Sequence, residues 1–432
     1  MKRRLRTREC LPLPAAKTRK VDYFRLLGLP TDMLLYCLSF AVSVHTDVLA
    51  LSKVCLALQQ VLCTNICDFR HIPVHLQENN VSALTAVYPF WDNFIIDGSL
   101  PAAALRVFQH SLRSIFLIST RRGILKELEQ APKLRELTIN SAGHCNIDLL
   151  CSALPLLSQL ETLCIRYGIC RCLAPALPRN LRHLSARRIS VAGAQHLPVL
   201  DRLTRLRLNA FCDDPYMLTA KLPALRKYYI QQFRNQHSDF LDFAPFRHLR
   251  DLQFGLHGRF TVPASLTRLD TLQSNQLVGP LPTRLQELTL VQRAGLPLLT
   301  EQLDRLCSLP MLSHLSVTDV QPSTLQKLSL LRELQSLHLK YRERLNLLQF
   351  PLPLLRSLTL TECNDSILYF QLTAIESLVD LTIIDSTVSQ TVVHLLLRAL
   401  PALAELSLWG CCNVEPDSLR VCYPAVMIDY MC

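Results

Sequence analysis

One pattern recurs fourteen times between residues 112 and 409: an apolar residue, two variable ones, an apolar residue, one variable, and a third apolar residue. It reads LRSIFLI at 112, LRELTIN at 134, LETLCIR at 160, LRHLSAR at 181, LTRLRLN at 203, LRKYYIQ at 225 and LRDLQFG at 249. It continues as LTRLDTL at 266, LQELTLV at 285, LSHLSVT at 312, LQSLHLK at 334, LRSLTLT at 355, LVDLTII at 378 and LAELSLW at 403. The starts lie 17 to 27 residues apart, about 22 on average. The first position is Leu every time, and only Ala186 and Thr271 depart from large apolar residues at the other two. Alternation at the end of the pattern has the period of a strand with one face buried. Some connecting segments, such as NIDLLCSALPLLSQ, LTEQLDRLCSLPML and SQTVVHLLLRALPAL, have the apolar spacing of helices. A single unit cannot cover its own apolar row, so the units must stack on one another.

This period and pattern resemble leucine-rich repeats. The resemblance implies an α/β solenoid: a curved parallel sheet with a helical or irregular convex side. LRSLTLTEC and LAELSLWGC place Cys363 and Cys411 three residues after the last apolar position, the Asn/Cys site of the repeat. They look like the cysteine-containing class, in which a small thiol packs under the turn and accepts backbone contacts. The steps leading into the units at 266 and 285 are short, and LTRLDTLQSNQL can be read in a second register. VEPDSLRVCYPAVMIDYMC reads as a helix and strand that close the stack.

The N-terminal part is different. Residues 1–25 carry nine Lys/Arg and two acids, whereas the whole chain has a net charge of +11. This stretch is expected to be a disordered basic leader, with an acidic-surface contact or a nuclear address as its functional readings. It lacks the apolar core of a signal peptide. The 17 cysteines form no C-x-x-C pair, which points to buried thiols in a reducing compartment, cytoplasm or nucleus. No uninterrupted membrane-spanning segment is expected, since VVHLLLRALPALAELSLW contains His394, Arg398, Pro401 and Glu405.

Residues 26–67 read as three short helices. Pro30 suits a first helical turn, and Leu34, Cys37, Leu38 and Ala41 share one face. Asp47 is an N-cap for a second helix with Val48, Leu51, Val54, Cys55 and Leu58 on its apolar side. LPTDMLLYCLSF and DVLALSKVCLALQQVL resemble the F-box, and with the repeats the chain resembles the F-box/leucine-rich-repeat family. The resemblance implies a three-helix unit that docks a Skp-type adaptor of a cullin–RING ubiquitin ligase, while the repeats hold a protein substrate. It assigns Leu29, Pro30, Met33, Leu34, Leu38, Phe40, Leu51, Val54 and Cys55 to the adaptor surface. The expected organisation is a leader over 1–25, the F-box-like unit over 26–67, a linker and irregular first repeat over 68–111, and the solenoid over 112–432. A stand-alone interaction scaffold is the alternative, and the same stretch would then be a helical cap on the stack.

Positions two, three, five and seven of each unit are expected to face solvent on the concave side. On five consecutive units they place Arg166, Arg182, His183, Arg187, Arg205, Arg207, Arg226, Lys227, Tyr229 and Arg250 together. Strands about 4.8 Å apart make this a patch roughly 19 Å long, peptide-sized and basic. Guanidinium forks suit carboxylates and phosphates, so an acidic or phosphorylated protein segment is the expected ligand. Further along, Thr359, Thr361, Thr382 and Ser407 give the same face hydroxyls, and Trp409 is expected to be exposed.

Nothing in the sequence calls for a cofactor or a catalytic role. The phosphate-cradling G-x-x-x-x-G-K-[ST] and G-x-G-x-x-G loops are absent, as are H-E-x-x-H and G-x-S-x-G. Cys63, Cys67, His71 and His75 recur every four residues. On one helix the outer members would be too far apart to share a zinc ion, and Pro73 interrupts the run. A GTPase-activating solenoid would have to present an arginine or asparagine to a nucleotide, and the pattern singles out neither.

Overall fold

The residues that the pattern marks as apolar form the core. The computed structural model of the protein describes residues 74–76, 93–96, 105–106, 108–118, 122–140, 147–211, 215–233, 240–255, 259–271, 276–277, 280–290, 305–318, 327–328, 330–340, 352–363 and 375–431. At the first, fourth and sixth positions every described side chain from Leu112 to Leu408 is buried, Leu290 partly so. Ala186 is buried with the rest, at a point where a larger side chain is missing from the row.

Each unit contributes one strand to the main sheet, and three units carry a second one. The first eight are β1 Val74–Leu76, β2 Asn93–Ile96, β3 Ser114–Leu117, β4 Glu136–Ile139, β5 Thr162–Ile169, β6 His183–Ile189, β7 Arg205–Phe211 and β8 Lys227–Phe233. Next come β9 Phe240–Asp242, β10 Asp251–Phe254, β11 Arg259–Thr261, β12 Arg268–Thr271, β13 Gln276–Leu277 and β14 Glu287–Leu290. The last are β15 His314–Thr318, β16 Ser336–Lys340, β17 Ser357–Thr361, β18 Asp380–Ile384, β19 Glu405–Trp409 and β20 Met427–Met431. Seventeen of them form one sheet among the described residues. All its pairs are parallel, and the order follows the chain except that β9, β11 and β13 are left out. The fold is a leucine-rich-repeat solenoid. Two of its strands, β1 and β2, lie within residues 68–111, so the sheet begins before residue 112. The unit at 266 takes the register with Leu266 and Leu269 in the core.

A single hydrogen-bond motif locks the register. The carbonyl of position two accepts two N–H groups from the next strand. Glu161 accepts from Arg182 and His183, Arg182 from Thr204 and Arg205, Thr204 from Arg226 and Lys227, and Arg226 from Arg250 and Asp251. The same pair recurs at Arg250, Thr267, Gln286, Ser313, Gln335, Arg356 and Val379. Because side chains alternate between faces, a slip of one residue would turn every buried Leu to solvent.

Three consecutive units, two of them short, solve their return differently. The units starting at 225, 249 and 266 carry the strands β9, β11 and β13, which pair in parallel as a second small sheet. An extended chain covers about 3.3 Å per residue against 1.5 Å for a helix, so a short unit crosses the same height as a strand. Aromatic rings fill the space enclosed by these units. Tyr228 meets Phe243 and Phe246 at 6.1 and 5.9 Å, Phe243 meets Phe254 at 5.5 Å, and Phe254 meets Phe260 at 4.7 Å. Elsewhere the returns include the helices Ile147–Ala153, Val191–His196 and Gln390–Ala399. Helix Pro416–Cys422 and β20 follow β19 at the C-terminal side of the stack.

The last three full units share a turn. At position eight, Glu362, Asp385 and Gly410 all have positive φ, at 61°, 48° and 66°. Position nine follows with Cys363, Ser386 and Cys411, all buried. The thiols act as donors as well as packing: Cys411 Sγ reaches the Ile383 carbonyl at 3.6 Å, and Cys363 Sγ reaches Ser386 Oγ at 3.2 Å. Ser386 Oγ in turn accepts the Cys363 N–H at 3.0 Å. At Gly410 an added Cβ would lie 2.4 Å from Asp385 Oδ1, in addition to the left-handed backbone. Gly410→Ala is therefore expected to destabilise the chain by about 1–3 kcal/mol, read as a lower thermal midpoint by circular dichroism.

Candidate functional site

The face opposite the buried rows is formed by positions three, five and seven. It carries two rows aligned by strand register. Position three runs His183, Arg205, Lys227, Asp251, Arg268 and Glu287 from β6 to β14. Position five runs Ser185, Arg207, Tyr229, Gln253, Asp270 and Thr289 over the same strands. Arg166, Arg187, Arg205 and Arg207 are exposed. None of the four has an acid within ion-pair distance among the described residues. Arg166 lies where the β5–β6 register shifts between Ile165 and Gly168, an irregularity that re-aims side chains.

Arg182, Arg226 and Arg250 are exposed but precede their strands, so they stand at the strand-entry edge of the face. Arg182 is also turned toward Glu161, Nε to Oε2 at 3.6 Å. Lys227 is half-buried, with its Nζ 3.7 Å from Asp251 Oδ2. The Tyr229 hydroxyl donates to the same oxygen at 2.7 Å. Burial, then that hydrogen bond and the Asp251 charge, push the Tyr229 phenol up to about 12. The ring therefore stays neutral and serves as a donor and a wall.

A hollow of about 390 Å³ opens beside this wall. Arg205, Arg207, Tyr229, Gln231 and Gln253 line it, over Leu208 and Ile230. It combines two guanidinium forks, a phenol and two amides. That set can hold a carboxylate or phosphate by charge-assisted hydrogen bonds and orient a neighbouring peptide group.

His183 stands at the edge of the Arg205 row. Burial, and then the charge of Arg205, hold its imidazole below the ordinary histidine range; Arg182 adds to this, while Glu136 and Glu161 oppose it. His338, further along the face, is lowered by burial and by Lys340. Its ring bridges Ser316 Oγ at 3.3 Å and Thr361 Oγ1 at 3.2 Å. The hydroxyl zone needs a correction. Thr359 and Thr382 are half-buried, but Thr361 and Ser407 are buried, so they do not offer open hydroxyls. Trp409 is 39% exposed, and its Nε1 donates to Asp429 at 3.3 Å.

Sequence reasoning collected the cations and passed over Asp251, Gln253 and Asp270. All three were visible at positions three and five of LRDLQFG and LTRLDTL. The proposed adaptor residues Leu29, Pro30, Met33, Leu34, Leu38, Phe40, Leu51, Val54 and Cys55 lie outside the described residues, as do Cys63, Cys67 and His71. Among the described residues no group of three or more His, Cys, Asp or Glu could hold a metal ion. Nor is any helix among them long and apolar enough to cross a membrane.

No family model and no curated protein matches the chain. Solved structures do. A leucine-rich-repeat protein of Leptospira interrogans is 16% identical, with a TM-score of 0.42 over 83% of this chain and 99% of that one. An internalin of Listeria monocytogenes is 14% identical, with a TM-score of 0.40 over 82% of this chain and 93% of that one. TLR13 in complex with ssRNA13 is 15% identical, with a TM-score of 0.46 over 83% of this chain and 59% of that one.

Both histidines have depressed values, so each contributes stability that is present above about pH 6.5 and is lost as the pH falls through the folded value. The thermal midpoint is expected to drop between pH 7 and pH 5. A variant with both His183→Gln and His338→Gln should show a shallower drop; equal slopes would contradict the assignment.

Proposed function

We propose that the protein is a non-catalytic substrate receptor of a cullin–RING ubiquitin ligase, acting in the cytoplasm or nucleus. Residues 26–67 dock a Skp-type adaptor, and the open face of the solenoid holds an acidic or phosphorylated segment of a protein marked for ubiquitination and degradation. The mechanism is proximity: one end is tied to the transfer machinery, and the other keeps a substrate lysine within its reach. Support for the adaptor half is the resemblance of LPTDMLLYCLSF and DVLALSKVCLALQQVL to the F-box. The observation that carries the receptor half is Arg205 and Arg207, exposed, without an acid partner among the described residues, and side by side at a hollow sized for a side chain. Backbone ladders satisfy their own polar groups, so these arginines are the part of the face available to a ligand.

Purified full-length chain is expected to retain a Skp-type adaptor on a column and to lose it when residues 26–66 are deleted. Reversing Arg187 and Arg207 to Glu should leave adaptor retention intact and weaken binding of a fluorescent, phosphoserine-containing acidic octapeptide by more than tenfold. A folded chain that binds the peptide but never retains the adaptor is a stand-alone scaffold, and the ligase reading falls.

A further inference from the structure

The position-five row changes sign as it crosses the open face. Arg207, Tyr229, Gln253 and Asp270 are successive register partners on β7, β8, β10 and β12. Beside this row, Asp251 is only 7% exposed. Its Oδ2 takes the Tyr229 hydroxyl and faces Lys227, but its Oδ1 is enclosed and has no hydrogen-bond donor. Asp270 Oδ1, one strand over, is enclosed and donor-less as well. Arg268, the register partner of Asp251, is turned to Glu287, Nε to Oε2 at 3.3 Å. Two carboxylates thus stand on adjoining strands, Asp251 paired with Lys227 and Asp270 with Arg268 as its nearby positive charge, and each has an oxygen that lacks a donor. Such an oxygen costs about 1–3 kcal/mol, and more when charged. Burial raises the Asp270 pKa and the Asp251 charge adds to it, with Arg268 opposing. The two acids repel one another, and a cation laid over the pair from the open side would offset both charges.

We infer that the open face reads a bipolar peptide segment: an acidic or phosphorylated residue held by Arg205 and Arg207, and a Lys or Arg side chain laid against Asp251 and Asp270. This rests on the reading of the face as a protein-recognition surface and is independent of the ligase link. Arg207 and Asp270 are three strand steps apart, about 14 Å at 4.8 Å per step. An extended segment crossing the strands advances about 3.3 Å per residue. The acid and the base are therefore about four residues apart. The sign change also selects against a uniform polyanion. A single-stranded nucleic acid anchored at Arg207 would carry its next phosphates onto Asp251 and Asp270, where like charges repel.

The test is selection of random octapeptides, displayed on phage, against the immobilised full-length chain. The expected winners carry Asp or Glu with Lys or Arg about four positions away. With both Asp251→Asn and Asp270→Asn the basic preference disappears and the acidic one stays. Asp270→Asn alone weakens the basic preference and serves if the double variant melts below the assay temperature. Arg207→Gln removes the acidic preference. Acid enrichment with no basic partner, or a basic preference that survives both Asp→Asn changes, overturns the bipolar reading and leaves the acid-binding face standing. No enrichment at all, or acid enrichment indifferent to Arg207→Gln, overturns the recognition surface itself. A ten-nucleotide single-stranded oligomer that binds through Arg207 and is unaffected by the Asp→Asn changes also overturns the proposal, in favour of nucleic acid.

Discussion

Each unit is fastened to the next by one carbonyl and three apolar side chains. The position-two carbonyl takes two N–H groups from the following strand, and the residues at positions one, four and six close beneath it. The two devices enforce one another. The carbonyl fixes which residues stand opposite, and the alternation of the strand then fixes which side chains go in. Fully burying a Leu contributes about 1.5–3 kcal/mol, but only if a neighbouring unit covers it, so no unit is stable by itself. Everything presented on the open face inherits its position from this repeat.

That inheritance explains why a charge pattern written over distant parts of the chain becomes a surface. Arg207, Tyr229, Gln253 and Asp270 are each about twenty residues apart in sequence, yet they form one row because each is the fifth residue of its unit. The floor is rigid backbone, while the side chains above it are long and polar. The β-strand returns of the units at 225, 249 and 266 bear on the same region. Their aromatic filling lies on the side of the sheet opposite the row, from Tyr228 through Phe243 to Phe260. The units that hold Tyr229, Gln253 and Asp270 are thus also the ones with a distinct core.

Much of this was legible in the sequence. The leucine period gave the solenoid, its strands and the identity of the buried rows, while the register of the unit at 266 stayed open between two readings until Leu266 and Leu269 were seen in the core. Cys363 and Cys411 were readable as buried because a small side chain was needed after a turn. The positive φ at Glu362 and Asp385 was not readable, since neither is Gly; the ladder bonds force that conformation. The second small sheet was not read: the units at 249 and 266, 17 and 19 residues long, favour an extended return, but the 24-residue unit at 225 carries no such signal. Strand register sets Arg205, Arg207, Lys227 and Tyr229 on one face, which the sequence reading described too simply. A search for like charges gathers arginines and passes over Asp251, whose burial and pairing with Tyr229 and Lys227 depend on strands that meet only in the fold.

The central claim is that the recognition floor is a preformed, continuous parallel ladder. Native-state amide hydrogen exchange of the full-length chain tests it most directly. The account predicts strong and uniform protection of the strand amides from β4 through β19, including those of Arg205, Lys227, Asp251 and Arg268, each donated to the preceding unit. Exchange of the β7, β8, β10 and β12 amides at unfolded-chain rates, while the flanking strands stay protected, would contradict it.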